Sequence, residues 1–187
     1  MGARRLGARR ARDLSHAKEH TMEEVEDSGA HRIITSRSEF LQALRDGFAL
    51  AAAQGCRELL LSDPDFADWP LGEPAVLDHL TRWAFAHRKL TMLGGHFDEV
   101  SRRHARFAQW RRQWSHIVEC RSPDSDDERD IPTLLLAPGL VTLKLLNRAQ
   151  YRASWSTDEG DAVRAHEHLD ALLQRSVEAF PATTLGL

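Results

Sequence analysis

The chain has 187 residues, 42% hydrophobic and 28% charged, with a formal net charge of −3. Its length suits one hydrophobic core and argues against a second. Phe48 to Gln54, a typical apolar run, is far short of the roughly 20 residues that span a bilayer, and the near-neutral charge means that nucleic acid or anionic lipid would have to find a local patch.

Residues 1–30 separate from the rest. MGARRLGARRARDLSHAKEH is rich in Arg and Ala without the apolar stretch of a secretory signal, and EEVEDSG follows as an acidic link, so this segment reads as a disordered tail. From His31 the pattern becomes regular, and residues 31–187 read as one domain. HRIITS suggests a short strand. Ser36 with Glu39 three residues on forms a capping box, opening a helix that carries Phe40, Leu41, Leu44 and Phe48 on one face and stops at Gly55.

RELLLSD reads as a buried strand closed by the loop DPDFADWP. Glu73-Pro74 opens a second helix with Val76, Leu80, Trp83 and Ala84 at helical spacing, and KLTML is the next strand. A third helix is expected from Phe97 to Trp114, with Phe97, Val100, His104, Phe107 and either Trp110 or Arg111 along its inner stripe, followed by the strand SHIVECR. Four strands alternating with three helices predict a largely parallel sheet. Beyond the acidic loop SPDSDDERD the style changes: TLLLA and LVTLKLL flank a Pro-Gly turn, YRASWS is another strand, and a long helix runs from Asp158. The expected fold class is α/β, with one mixed sheet, parallel in its first half and antiparallel in its second, and helices on both faces.

Spacing argues against familiar chemistries. Cys56 and Cys120 are too few for a disulfide scaffold and point to core thiols in a reducing, cytoplasmic setting. His166 and His168 diverge on a helix, and the pair His79 and His87 has no companions, so no metal or other cofactor is expected. There is no GxSxG elbow, and LGGHFDEV lacks both a dinucleotide fingerprint and a Walker lysine.

Two places carry binding chemistry. Asp63 and Asp65, with Trp69 as an apolar wall, lie in a loop after a buried strand, where open α/β sheets place ligands, although Asp-Pro is also ordinary turn chemistry. Arg102, Arg103, Arg106, Arg111 and Arg112 with Trp110 and Trp114 combine guanidinium groups with flat rings, as phosphate contact and base stacking require. The same arginines could be a solvated face or be neutralised by Asp124, Asp126, Asp127, Glu128 and Asp130. His116 stands beside Trp114 at a strand start.

The element order resembles one half of the phospholipase D superfamily fold, in which a strand pair carries HxKxxxxD, then a GSxN-like segment, then a helix. The corresponding stretches are DIPTLLLAPG, YRASWST and the helix ending LLQRSVEAF. On that overlay Asp130 stands at the family's His, Pro132 at its Lys and Ala137 at its Asp, so nucleophile and phosphate-stabilising charge are both missing. DPDFADWPL, RFAQWRRQWSHIVECR and TTLGL also look like a bacterial family of uncharacterised domains of this fold, found alone or joined to GNAT-type acetyltransferases.

The resemblance implies a homodimer, since family halves pair about a two-fold axis, and an acetyltransferase domain as associate. The leading expectation is a non-catalytic domain binding a partner or anionic ligand in a groove between the DPDFADWP loop and the Arg/Trp helix, through Asp63, Asp65, Trp69, Arg106, Trp110, Arg111 and His116. Two alternatives stand beside it: nucleic-acid binding through that helix and the basic tail, and an enzyme using Asp63, Asp65, His116 and Arg106 in unfamiliar acid/base roles.

Overall fold

The computed structural model of the chain describes residues 31–85, 88–123 and 130–182. The tail 1–30, His87, the acidic residues 124–128 and the terminal TTLGL lie outside the described residues.

Helix α1 (Arg37–Gln54) forms as its signals dictate. The Ser36 hydroxyl accepts the Glu39 N–H at 3.3 Å, the Glu39 carboxylate accepts the Thr35 N–H at 3.0 Å, and Gly55 closes the helix in a left-handed conformation, φ 74°, that a side chain would resist. Gly47 in mid-helix lets Leu135 approach: a Cβ there would meet its methyl carbons at 3.1 and 3.2 Å. Helix α2 (Pro74–Ala84) starts on its proline and buries Val76, Leu80, Trp83 and Ala84.

The strands β1 (His31–Ile34), β2 (Glu58–Ser62), β3 (Lys89–Leu93), β4 (Val118–Pro123), β5 (Leu134–Ala137), β6 (Val141–Asn147), β7 (Arg152–Ser156) and β8 (Ser176–Glu178) form one eight-stranded sheet in the order β1-β7-β6-β5-β2-β3-β4-β8. Strands β2, β3 and β4 run parallel, and every other pairing is antiparallel. Between β5 and β6, Gly139 takes φ 76° and the Leu140 N–H returns to the Ala137 carbonyl at 2.9 Å, a tight Pro-Gly turn.

Alternation divides the core. Leu59 and Leu61 face one side, with Phe40, Leu44, Phe48, Trp83, Val100 and Phe107 from the helices; Leu60 faces the other, with Leu93, Leu134 and Leu136 beneath Leu169 and Leu172 of α5 (Glu159–Leu173). ELLLS is continuously apolar because both of its faces are covered. Burying each such leucine is worth about 1.5–3 kcal/mol.

Three expectations change. β1 is not the first of a parallel series: it pairs antiparallel with β7 at the far edge, as suits a strand of which only Ile34 is buried. The third helix is two, α3 (Asp98–Arg103) and α4 (Ala105–Gln113), broken at His104, whose backbone leaves the helical region at φ −120°, ψ 45° while its imidazole reaches the Phe66 carbonyl at 3.0 Å. The last helix stops at Leu173, where Ser176 Oγ donates to the Leu173 carbonyl at 2.7 Å, and Ser176–Glu178 then becomes β8 against β4. No helix among the described residues is long and apolar enough to cross a membrane.

Candidate functional site

The carboxyl end of β2 is organised by Asp63, which is fully buried. Its Oδ1 accepts the backbone N–H groups of Asp65 at 3.0 Å and Phe66 at 2.8 Å, its Oδ2 accepts Thr133 Oγ1 at 2.6 Å, and Arg148 Nη2 lies 2.9 and 3.0 Å from the two oxygens. Every lone-pair direction is in use, which leaves no room for a proton-transfer partner. The carboxylate instead pins a turn in which Phe66, at φ 56°, sits in the left-handed region that a bulky residue avoids.

Asp65 lies 3.5 Å from the same guanidinium. Burial by itself would raise the Asp65 carboxyl, but the Ala67 N–H, its contact with Asp63 and the charges of Arg148 and His96 hold it below the ordinary range. Nearby, Tyr151 Oη donates to Asp68 at 2.9 Å and Arg37 pairs with Asp68 at 3.1 Å. Asp63 and Asp65 are thus brought together, around an arginine that sequence reasoning did not single out.

Trp69 is buried between Phe48 and Phe66, and its indole N–H has no hydrogen-bond partner among the described residues. The loop and the α3–α4 junction are packed together rather than separated by a groove. Phe66 stacks on Phe97 at 5.8 Å, Phe97 stacks on Phe180 at 5.5 Å, and the His104 ring is bonded to the Phe66 carbonyl.

The arginines of α3 and α4 have distinct fates. Arg102 and Arg103 are exposed and share Glu99, at 3.2 and 2.5 Å. Arg106 and Arg112 are exposed and pair with no carboxylate among the described residues. Arg111 is only 4% exposed: its Nε donates to Cys120 Sγ at 3.1 Å and its guanidinium lies 4.9 Å from the centre of the Phe180 ring. Burial holds the Cys120 thiol above its usual range, so it offers Arg111 a neutral sulfur rather than a thiolate.

Arg111 and Arg112 line a cleft of about 600 Å³ between α4 and Phe180–Ala182. Trp110 is a core residue, its indole N–H donating to Thr81 Oγ1 at 3.0 Å. Its face is taken by Phe107 at 5.6 Å, so it offers no stacking platform. His116 is exposed beyond α4, 5.8 Å from the Trp114 ring. Among the described residues no group of three or more His, Cys, Asp or Glu could hold a metal ion.

No family model matches the sequence, and no curated protein matches it. Among solved structures the chain is similar to the archaeal chromatin protein TrmBL2, whose structure is described as showing a novel mode of DNA binding, with a TM-score of 0.58 at 13% identity over 84% of this chain and 57% of that one. At that identity the likeness shows a shared fold, and the chain spans little more than half the length of that protein.

Proposed function

We propose that this chain is a non-catalytic domain of phospholipase D-like build that binds a phosphate-bearing polyanion, nucleic acid foremost, over its α4 side. The observation that carries the reading is Arg111, a buried guanidinium facing a cleft, with a neutral thiol and a ring for company and no carboxylate partner among the described residues. An unpaired buried charge is costly, and an entering phosphate oxygen would offset that cost. Arg112 at the same cleft and Arg106 on the exposed side of α4 extend the positive surface.

Absence of catalysis is supported by the saturated Asp63 and by Asp130, Pro132 and Ala137 at the positions where the resembled family carries His, Lys and Asp. Nucleic acid is favoured among polyanions because TrmBL2 is described as binding DNA.

The test is the anisotropy of a labelled DNA duplex titrated with protein across a salt series. Affinity should fall linearly on a log–log plot, and the Arg106→Ala/Arg112→Ala double variant should flatten the slope by about 2, roughly 0.9 for each lost phosphate contact. A duplex that fails to bind at about 50 mM salt, or binds independently of salt, refutes the reading. So does steady phosphodiesterase turnover.

A further inference from the structure

On the sheet face opposite α4, helix α5 covers only part of the strands. Its Leu169 and Leu172 rest on Leu60, Leu93, Leu134 and Leu136. Beyond Leu134 and Leu136 the same face turns polar along two rungs. Leu134 is followed across the sheet by Lys144, Ser154 and Ile33, and Leu136 by Thr142, Ser156 and His31. Helix α5 reaches this polar half at β6 and at Ser156 of β7, where Asp161 accepts the Ser156 hydroxyl.

Where the sheet emerges from under α5 there is a cleft of about 240 Å³, lined on the sheet side by Thr142, Lys144 and Ser154 and on the helix side by Asp161, Arg164 and His168. It is smaller than the roughly 300–1,000 Å³ of sites for drug-sized molecules, so its occupant is small.

Two independent observations give the cleft a chemistry. Its cations outnumber its anion: Lys144 has no carboxylate partner among the described residues, whereas Asp161, the carboxylate of the lining, is already neutralised. One Asp161 oxygen accepts Ser156 Oγ at 2.6 Å and the other pairs with Arg164 at 2.7 Å. Separately, Thr142 is 5% exposed and its hydroxyl has no hydrogen-bond partner among the described residues. Buried hydroxyls are nearly always satisfied, and one left over in the wall of a cationic cleft is a donor awaiting an acceptor.

We propose that this cleft binds a terminal phosphate, a small phosphomonoester, with Lys144 supplying the uncompensated charge, Arg164, already paired with Asp161, lending further N–H donors, and the Thr142 hydroxyl giving a directed hydrogen bond. This site is separate from the α4 cleft, since the two lie on opposite faces of the sheet. A phosphodiester within a duplex is too encumbered for so small a recess, whereas a monoester presents three oxygens at its end.

The experiment titrates the full chain with glycerol 3-phosphate by calorimetry and, in a second arm, measures its flotation with vesicles containing phosphatidic acid. Binding in the first arm assigns a soluble monoester; binding to vesicles alone assigns a lipid headgroup with the same terminal phosphate. In either case Lys144→Ala should weaken binding about tenfold. Thr142→Val should weaken it about threefold or more without lowering Tm, while Thr142→Ser should retain affinity. The Arg106→Ala/Arg112→Ala variant should bind as the parent does, whatever becomes of duplex binding. Failure of both probes at millimolar concentration, or binding indifferent to Lys144→Ala and Thr142→Val, overturns the proposal.

Discussion

Replacing Asp63 distinguishes a carboxylate that builds the loop from one that meets a ligand. In Asp63→Ala the buried Phe66 N–H and the buried Thr133 hydroxyl both lose their acceptor. An unsatisfied buried group costs about 1–3 kcal/mol. The Arg148 pair adds little, because that side chain is 44% exposed and screened by water. Relief from burying a carboxylate returns part of the loss, so the net expectation is about 3 kcal/mol. Asp63→Asn keeps an oxygen for the two backbone N–H groups, and its NH2 can donate to a Thr133 hydroxyl turned to accept, so it forfeits mainly the charge facing Arg148, about 1 kcal/mol. Urea denaturation followed by tryptophan fluorescence reads both: at a slope near 2 kcal/mol per molar, Asp63→Ala should lower the midpoint by about 1.5 M and Asp63→Asn by about 0.5 M. Duplex affinity should be unchanged in Asp63→Asn. Equal costs for the two variants would refute the account of the loop, and lost affinity in a stably folded Asp63→Asn would make this carboxylate part of the binding surface.

Gly47→Ala should destabilise by about 1 kcal/mol in thermal melts, because crowding Leu135 at 3.1 Å outweighs the gain in helix propensity; an unchanged or higher Tm would show that Leu135 can yield. Arg111→Met should leave the urea midpoint within about 0.5 M of the parent, since an apolar replacement of similar volume removes a buried charge, and should weaken duplex binding; intact binding would relocate the interface. Burial pushes the His104 imidazole below its ordinary value, so the folded protein holds it neutral and the unfolded chain takes up the proton first. The stability it contributes is complete above the ordinary value of about pH 6.5 and is lost as pH falls below it. The urea midpoint should therefore decline from about pH 7.5 to about pH 5.5 more steeply in the parent than in His104→Gln, and parallel profiles would remove His104 as the cause.

Much of the architecture could be read along the chain because its signals are local. Ser36, Glu39 and Gly55 mark both ends of α1, ELLLS reads as covered on both faces, and Pro138-Gly139 places the hairpin. What was missed depends on distance or on register. The 3.6-residue stripe passes through His104 without interruption, so periodicity alone joins α3 to α4; the break comes from a carbonyl 38 positions earlier. β8 is three residues with no pattern of its own, made a strand by Arg121, whose guanidinium donates to the Ser176 hydroxyl and carbonyl.

The candidate site divides in the same way. Asp63 and Asp65 stood out in the sequence, but Arg148 lies 85 positions away and nothing local links them. The arginines were visible as a group, yet burial separates Arg111 from its neighbours. Thr142 and Lys144, like Ser154 and Ser156, alternate with apolar residues in a way that already announces one wet face. Which helix borders that face is a tertiary fact.

The two rims of the sheet are short strands that each expose charge: β1, four residues with His31 and Arg32 exposed, and β8, three residues with Glu178 exposed. A stranger's backbone finds little length there to zip onto, and must bring charge close to charge to do so. Lateral growth of the sheet is thereby discouraged, and crowded solutions of this protein should cloud slowly. Copies that associate would meet through side chains on the broad surfaces of the molecule, where substitution can tune the contact without disturbing the ladder.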